Sequence, residues 1–568
     1  MKANSFKWRM SLLALIMLCI RPSIALDEPA DGSAQFNSEN QKVSKQQAET
    51  VLDPFADALS RLLIGSMKDR EQAIEHLSVT GHPRSLPILE ALLDGRLYAL
   101  RDKKTAVVAT ESGQDYRIAD ASTEADLGLV ERSELSKVNI TNSLRTKLRK
   151  KISILQLQSD DASVRLFAVN AMVKTADAKT LELLKEYEST ETDEDVLSSM
   201  RLIFALNDLQ NSDKSVRLNA MDTLKEYNSL EAYNRLSVLI EKDNAGNFIE
   251  ADNEVRKKAQ AALKKIDARL QFYNSVETVF FGLSLGAVLV LAAIGLAITF
   301  GVMGVINMAH GELMMLGAYT TYVMQQIMPN HIGLSVILAI PAAFMISALV
   351  GVAIERGIIR FLYGRPLETL LATFGISLFL QQTVRSIFSP LNRSVTTPEW
   401  MSGSWQINDF LSLTWNRFYI VLFCLLVFAA LLQILKKTRL GLEVRAVAQN
   451  RNMAKAMGIP TAQVDAMTFG LGSGIAGVAG VALSQITNVG PNLGQSYIVD
   501  SFMVVVFGGV GNLWGTLVAG FSLGIANKML EPHAGAVLAK ILVLVFIILF
   551  IQKRPRGLFP QKGRAAEA

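Results

Sequence analysis

The sequence predicts an all-α protein in two parts: an exported, repeat-built helical region, then a polytopic bundle of membrane helices. Three observations predict it. Half of the 568 residues are hydrophobic and the mean hydropathy is +0.27, more apolar than a water-soluble chain of this length sustains. The average conceals a split: residues 27–272 are charged and rich in Ala and Leu, whereas 276–551 is a series of long apolar runs with few charges. Within the charged half, a short motif recurs at helix-opening positions.

In chain order, Lys2, Lys7 and Arg9 precede a short apolar core, Ser11 to Ile20, and Ser23-Ile24-Ala25 supplies small residues for cleavage. This reads as a signal peptide over 1–25, so the charged half is exported. Residues 26–50 are polar and short of large apolar side chains, the composition of a disordered lead-in. Between 51 and 272 the segment Asp161-Ala-Ser-Val164-Arg165 recurs as Asp213-Lys-Ser-Val216-Arg217 and Asp252-Asn-Glu-Val255-Arg256. Asp suits the N-cap or first turn of a helix, where free N–H groups and the positive dipole end await it. Val and Ala then fall on one face. The pattern resembles an irregular HEAT-like α-solenoid. A weaker copy opens at Asp69. Residues 97–120 break this rhythm with short alternating runs around Ser112-Gly113, predicting a small β-hairpin insertion.

Apolar runs at 276–300, 301–326, 333–354, 366–389, 418–436, 464–487, 498–511, 513–530 and 535–552 mostly approach the ~20 residues that span a bilayer. The 498–511 run is short, so the count is eight or nine. With an exported N-terminal half, nine crossings put the basic loops 355–365 and 436–460 and the basic 553–568 tail in the cytoplasm. The two cysteines, Cys19 and Cys424, lie in apolar segments and cannot staple the charged half. The net charge of +5 sits in short loops and indicates no nucleic-acid partner. No metal ligand set and no cofactor motif stand out. A Gly-Lys dipeptide is absent, which excludes a Walker-type phosphate loop and assigns any ATP hydrolysis to another chain.

Polar groups inside membrane runs are costly and usually face a partner or a watery path. Asn307, His310 and Glu312 stand out, in the glycine-dense text from Gly295 to Tyr319. Helix capping explains them as well as solute contact does, and for His310 a structural hydrogen bond is the stronger reading. Thr373, Ser377, Gln381, Gln382, Ser484, Gln485 and Asn488 are further candidates to line a path, with helix–helix bonding as the bland alternative to each. Asp500, at the outer end of a predicted span, either lines an entrance or caps a short helix.

The Gly295–Tyr319 text resembles the branched-chain amino-acid ABC permease family. The likeness continues through Arg365-Pro366-Leu367, Leu371-Ala-Thr373-Phe-Gly375-Ile-Ser377, Thr438-Arg439-Leu-Gly441-Leu-Glu443-Val-Arg445, Gly508-Gly509-Val-Gly511-Asn512 and Arg554-Pro555-Arg556-Gly557. The stretch from Gln495 to Gly508, the run Gln552-Lys-Arg-Pro-Arg-Gly and the long exported extension resemble the urea-transporting branch. The resemblance implies a non-enzymatic transport subunit for urea in the inner membrane, working by alternating access. It also implies a second permease subunit, cytoplasmic ATPase subunits and a periplasmic solute-binding protein. It makes 438–460 the loop that docks on the ATPase, through Arg439, Gly441, Glu443, Arg445, Ala446, Asn450, Ala454 and Gly458. Rival expectations are a branched-chain amino-acid or short-amide importer, and a membrane-anchored solenoid scaffold.

Overall fold

The computed structural model describes residues 54–101, 105–112, 115–244 and 246–559. The expected signal peptide and lead-in lie outside the described residues. Helices α1 (Pro54–Ile64), α2 (Met67–Val79) and α3 (Ser85–Leu93) open the described chain and bury Leu62, Leu77 and Leu89 together. Ser66 caps α2 and Asp69 completes a reciprocal capping box with it, so the weak repeat copy at Asp69 is an N3 residue, not an N-cap.

The hairpin expected at 97–120 is a five-stranded antiparallel sheet, which corrects the all-α expectation for the N-terminal half. Strands β1 (Leu97–Leu100), β2 (Ala106–Ser112), β3 (Asp115–Asp120), β4 (Asp126–Val130) and β5 (Leu135–Lys137) lie in the order β4-β3-β2-β1-β5. Val107, Ala109, Tyr116 and Ile118 alternate onto its buried face, where Leu135 joins them. The two edge strands gave little signal, since β4 is almost wholly exposed and β5 has three residues.

Helices α4 (Asn142–Gln156), α5 (Ala162–Met172), α6 (Ala178–Glu188), α7 (Glu194–Asp208), α8 (Lys214–Leu224) and α9 (Leu230–Ile240) follow, each packed on its neighbours. The recurring motif now has a mechanical explanation. Asp161, Asp213 and Asp252 each cap a helix by accepting an N–H from two residues on. Four residues after each Asp, an Arg turns back and donates to the two carbonyls just before the cap. Arg165 reaches Ser159 and Asp160, Arg217 reaches Asn211 and Ser212, and Arg256 reaches Glu250 and Ala251. One motif thus satisfies both free helix N–H groups and loop carbonyls.

The third copy opens α10 (Asn253–Met303), a single 51-residue helix. Its first turns bury Val255, Ala259 and Ile266 in the charged half, and its last turns bury Val288 to Ile298 among apolar helices. The expected boundary near 272–276 falls inside this helix, with no linker.

The apolar half comprises α10, α11 (His310–Ile327), α12 (Ile332–Gly357), α13 (Pro366–Phe388), α14 (Trp415–Lys437), α17 (Thr461–Ser484), α18 (Leu493–Gly508) and α19 (Leu513–Lys553). Among the described residues, five helices are long and apolar enough to cross a membrane: α10, the α12 segment, α14, α17 and α19. Helix α19 spans two of the expected runs and bends at Gly535, φ 76°. Helix α17 is the centre, buried along nearly its whole length. Its glycines let neighbouring backbones touch: a Cβ on Gly317 of α11 would strike the Gly477 backbone, and one on Gly295 of α10 would strike that of Gly472.

Beyond α13, strands β6 (Ser404–Asn408) and β7 (Leu411–Thr414) form a hairpin that leads into α14. Its tip residue Phe410 is buried in the same cluster as Leu236, Val255 and Ile266, with its ring 6.3 Å from Tyr273. The hairpin therefore ties α14 to the charged half, largely by packing on the early turns of α10.

Candidate functional site

Helix α10 ends where Gly304 takes φ 66°, and the chain stays unwound until His310 begins α11. An unwound turn at this depth must find partners for its backbone. Asn307 supplies one by accepting the Ala309 N–H at 3.0 Å, and Thr373 of α13 accepts the Met308 N–H at 3.2 Å. Asn307 is fully buried and its amide nitrogen has no partner. His310 is tied at Nε2 to the Ala292 carbonyl, 2.9 Å away on α10, and its ring lies where a Cβ on Gly295 would stand. That is a helix-to-helix bond, and the other ring nitrogen has no partner.

Two residues on, Glu312 is buried; one carboxylate oxygen accepts the Ser377 hydroxyl at 3.1 Å and the other has no partner. Ser377 belongs to a row on α13 spaced by four: Thr369, Thr373, Ser377, Gln381 and Arg385. The first four are buried, while Leu367, Leu371, Leu378 and Phe379 on the opposite side are exposed. A spacing of four keeps side chains on one helix face, so α13 turns a polar stripe inward and an apolar face outward. That is the arrangement of a helix with lipid or an apolar partner on one side and a polar route on the other. Helix α18 closes the stripe: the Gln381 amide faces Gln495 at 3.5 Å, and Arg385 donates to Asn492 at 2.7 Å and to Gln381 at 3.4 Å. The stripe runs from a half-satisfied carboxylate, through neutral donors and acceptors, to a guanidinium.

Not every candidate joins it. Gln382 and Asn488 are exposed. Ser484 bonds back to the Val481 carbonyl of its own helix. Gln485 lines an apolar groove with Trp400, Tyr419 and Phe423, bonded at 3.2 Å to Ser484. Asp500 lies in the middle of α18 and not at a helix end; it is 3.0 Å from Lys540 of α19. Arg385, Gln495 and Asn492 were missed. The four-residue spacing from Thr369 would have found Arg385; no local signal marks the other two.

The loop at 438–460 is a helical hairpin, α15 (Arg439–Gln449) and α16 (Arg451–Ala456). Thr438 caps the first helix through the Gly441 N–H and Asn450 caps the second through Met453. Val444, Val447, Ala454 and Val464 form its small core, to which Ala446 and Ile459 add. Gly441 packs on the Leu435 backbone, and Gly458 (φ 86°) makes the turn toward α17. Arg451 grips the buried Asp465 with both nitrogens and lies 3.9 Å over the Tyr363 ring, so the hairpin is latched to α17 and to the turn after α12. Arg439 and Arg445 are exposed and Glu443 half-exposed. Leu442, Met453 and Met457 are exposed. Among the described residues no group of three or more His, Cys, Asp or Glu is placed to hold a metal.

Comparison with known proteins matches residues 278–551 to the family described as branched-chain amino acid transport system / permease component. The high-affinity branched-chain amino acid transport system permease protein LivH of Escherichia coli (strain K12) is 31% identical over 298 residues, 51% of this chain and 96% of the relative. LivH of Salmonella typhimurium is 30% identical with the same coverage, and BraD of Pseudomonas aeruginosa is 27% identical over 298 residues, again 51% and 96%. No solved structure matches.

Proposed function

The chain belongs to the branched-chain amino acid transport permease family, and from that premise we propose that it carries urea inward across the inner membrane along the stripe of α13. As a permease of an ATP-binding-cassette importer it is a multi-pass membrane protein and not itself an enzyme. In this reading a partner hydrolyses ATP and a second permease subunit completes the path. A periplasmic binding protein delivers the solute, the N-terminal half stands outside as a HEAT-like α-solenoid, and nine crossings leave the C-terminus inside.

The observation that carries the reading is the buried Thr373–Ser377–Gln381 row of α13, joined by Glu312 of α11, on a helix whose other face is apolar. Urea is small, neutral and dense in donors and acceptors. A buried donor or acceptor left unpaired costs roughly 1–3 kcal/mol, so its route needs hydroxyls and amides at short intervals. The latched hairpin 439–457, with exposed Leu442, Met453 and Met457 amid basic residues, supports docking on the ATPase.

A second reading, import of a branched-chain amino acid, is favoured by the relatives' printed names and by the charges at the two ends of the stripe, which suit a zwitterion. Uptake of labelled urea and labelled leucine by a strain lacking this chain separates them. Loss of urea uptake alone, restored by the wild-type chain and not by Ser377→Ala, is the expected result; loss of leucine uptake alone removes urea.

A further inference from the structure

We propose that the polar cavity above the end of α11 is the outer vestibule that receives a small, net-neutral polar solute, and that Phe388 is its floor. The proposal rests on the import reading and its orientation. The cavity has a volume of about 450 Å³ and is lined by Tyr322, Gln325, Gln326, Asn392, Arg393 and Thr396, among others. No carboxylate lines it.

Its wall is stitched in place. Gln325 pairs with the Thr396 backbone in both directions, donating to its carbonyl at 2.8 Å and accepting its N–H at 2.9 Å. Arg393 exchanges both backbone hydrogen bonds with Val489, at 2.7 and 2.8 Å, joining the wall to the turn after α17. Its guanidinium donates to the Phe388 carbonyl at 3.1 Å and so holds the end of α13.

Beneath lies an aromatic layer. The Phe388 ring is 4.7 Å from Tyr319 and 6.4 Å from Tyr322, and the Tyr319 hydroxyl is buried without a partner. Glu312 precedes Tyr319 by seven residues on α11, and Gln381 precedes Phe388 by seven on α13. Seven residues return to the same helix face about 10 Å along the axis, so the aromatic layer stands directly between cavity and stripe.

The residue after Phe388 is held in an uncommon state: Ser389 has φ 78° and ψ 155°, a region that is essentially glycine's. The strain sits where the chain leaves the floor residue and turns into the wall of the cavity. Neutral amides and hydroxyls match a solute with both donors and acceptors, and Arg393, the cavity's charge, disfavours cations.

Accessibility labelling of the full-length chain in right-side-out vesicles tests this, after Cys19→Ala and Cys424→Ala remove its own thiols. Charged thiol reagents applied from outside are expected to modify Asn392→Cys and to spare Ser377→Cys and Gln381→Cys. Adding Phe388→Ala, or Phe388→Leu if the first does not fold, is expected to raise labelling of both by tenfold or more. At Asn392→Cys a cationic reagent is expected to react on the order of tenfold more slowly than an anionic one, with the difference lost in Arg393→Gln. An unlabelled Asn392→Cys, or equal labelling below the floor with and without Phe388, overturns the vestibule. Equal rates for the two reagents overturn the charge selection. The readout does not involve uptake, so failure of the urea assignment shows separately.

Discussion

Replacing Arg451 by Gln strips the buried Asp465 of the guanidinium paired with it. The Asp465 side chain is 4% exposed and that of Arg451 29%. Removing one member of a fully buried pair costs about 3–5 kcal/mol, because the remaining charge is stranded. Since water reaches the arginine side, about 2–3 kcal/mol is the appropriate scale here. Asp465→Asn is expected to cost less, because water can solvate a freed Arg451. The double variant should then be no worse than Arg451→Gln alone, a non-additivity of 1 kcal/mol or more on the scale of contacting residues (about 0.5–3 kcal/mol). At roughly 1–2 °C per kcal/mol for a chain of this size, thermal unfolding of the purified protein in detergent should drop by about 2–5 °C for Arg451→Gln. The exposed Arg365→Gln serves as control and should barely move. A midpoint for Arg451→Gln indistinguishable from that control, or strictly additive losses in the double variant, would falsify the latch.

Ser389→Gly should relieve backbone strain and raise the unfolding midpoint by the equivalent of about 1 kcal/mol, read by the same melt. Phe410→Ala empties an aromatic site in the core of the charged half, a loss of about 3–5 kcal/mol when fully borne; limited proteolysis should then cut faster between α9 and α10. In that half Arg165 holds the Glu191 carboxyl down to about 2, against an ordinary 4.5. A folded-state value below the unfolded one stabilises above pH 4.5 and is lost as pH falls toward 2. The acid transition followed by circular dichroism should therefore be less steep between pH 4.5 and 2 in Glu191→Gln.

What could be read ahead was what local chemistry dictates. The Asp of each repeat suited a helix N-terminus: Asp161, Asp213 and Asp252 are N-caps, and Asp69 of the weaker copy sits in the first turn. The apolar runs had to be helices, because lipid leaves backbone groups no other partners, and the nine runs fall on eight helices, the last two sharing α19. What escaped depends on contacts distant in sequence. Edge strands β4 and β5 carry almost no burial pattern of their own. Gln485 and Gln381 look alike as text, yet one faces an apolar groove and the other a polar row, because different helices approach them. Nothing near Arg393 in sequence points to Val489, the residue it bonds through its backbone.

The unbroken course of α10 has a geometric consequence. At 1.5 Å per residue its 51 residues make a rod of about 75 Å. A hydrocarbon layer takes up about 30 Å of that, so most of the length projects beyond it. A tilt of only 5° at the embedded end would sweep the far tip through about 6 Å. Small rearrangements deep in the bilayer are thereby magnified into displacements large enough to sense from the far side, and a load on the projecting arm is felt in return at the core.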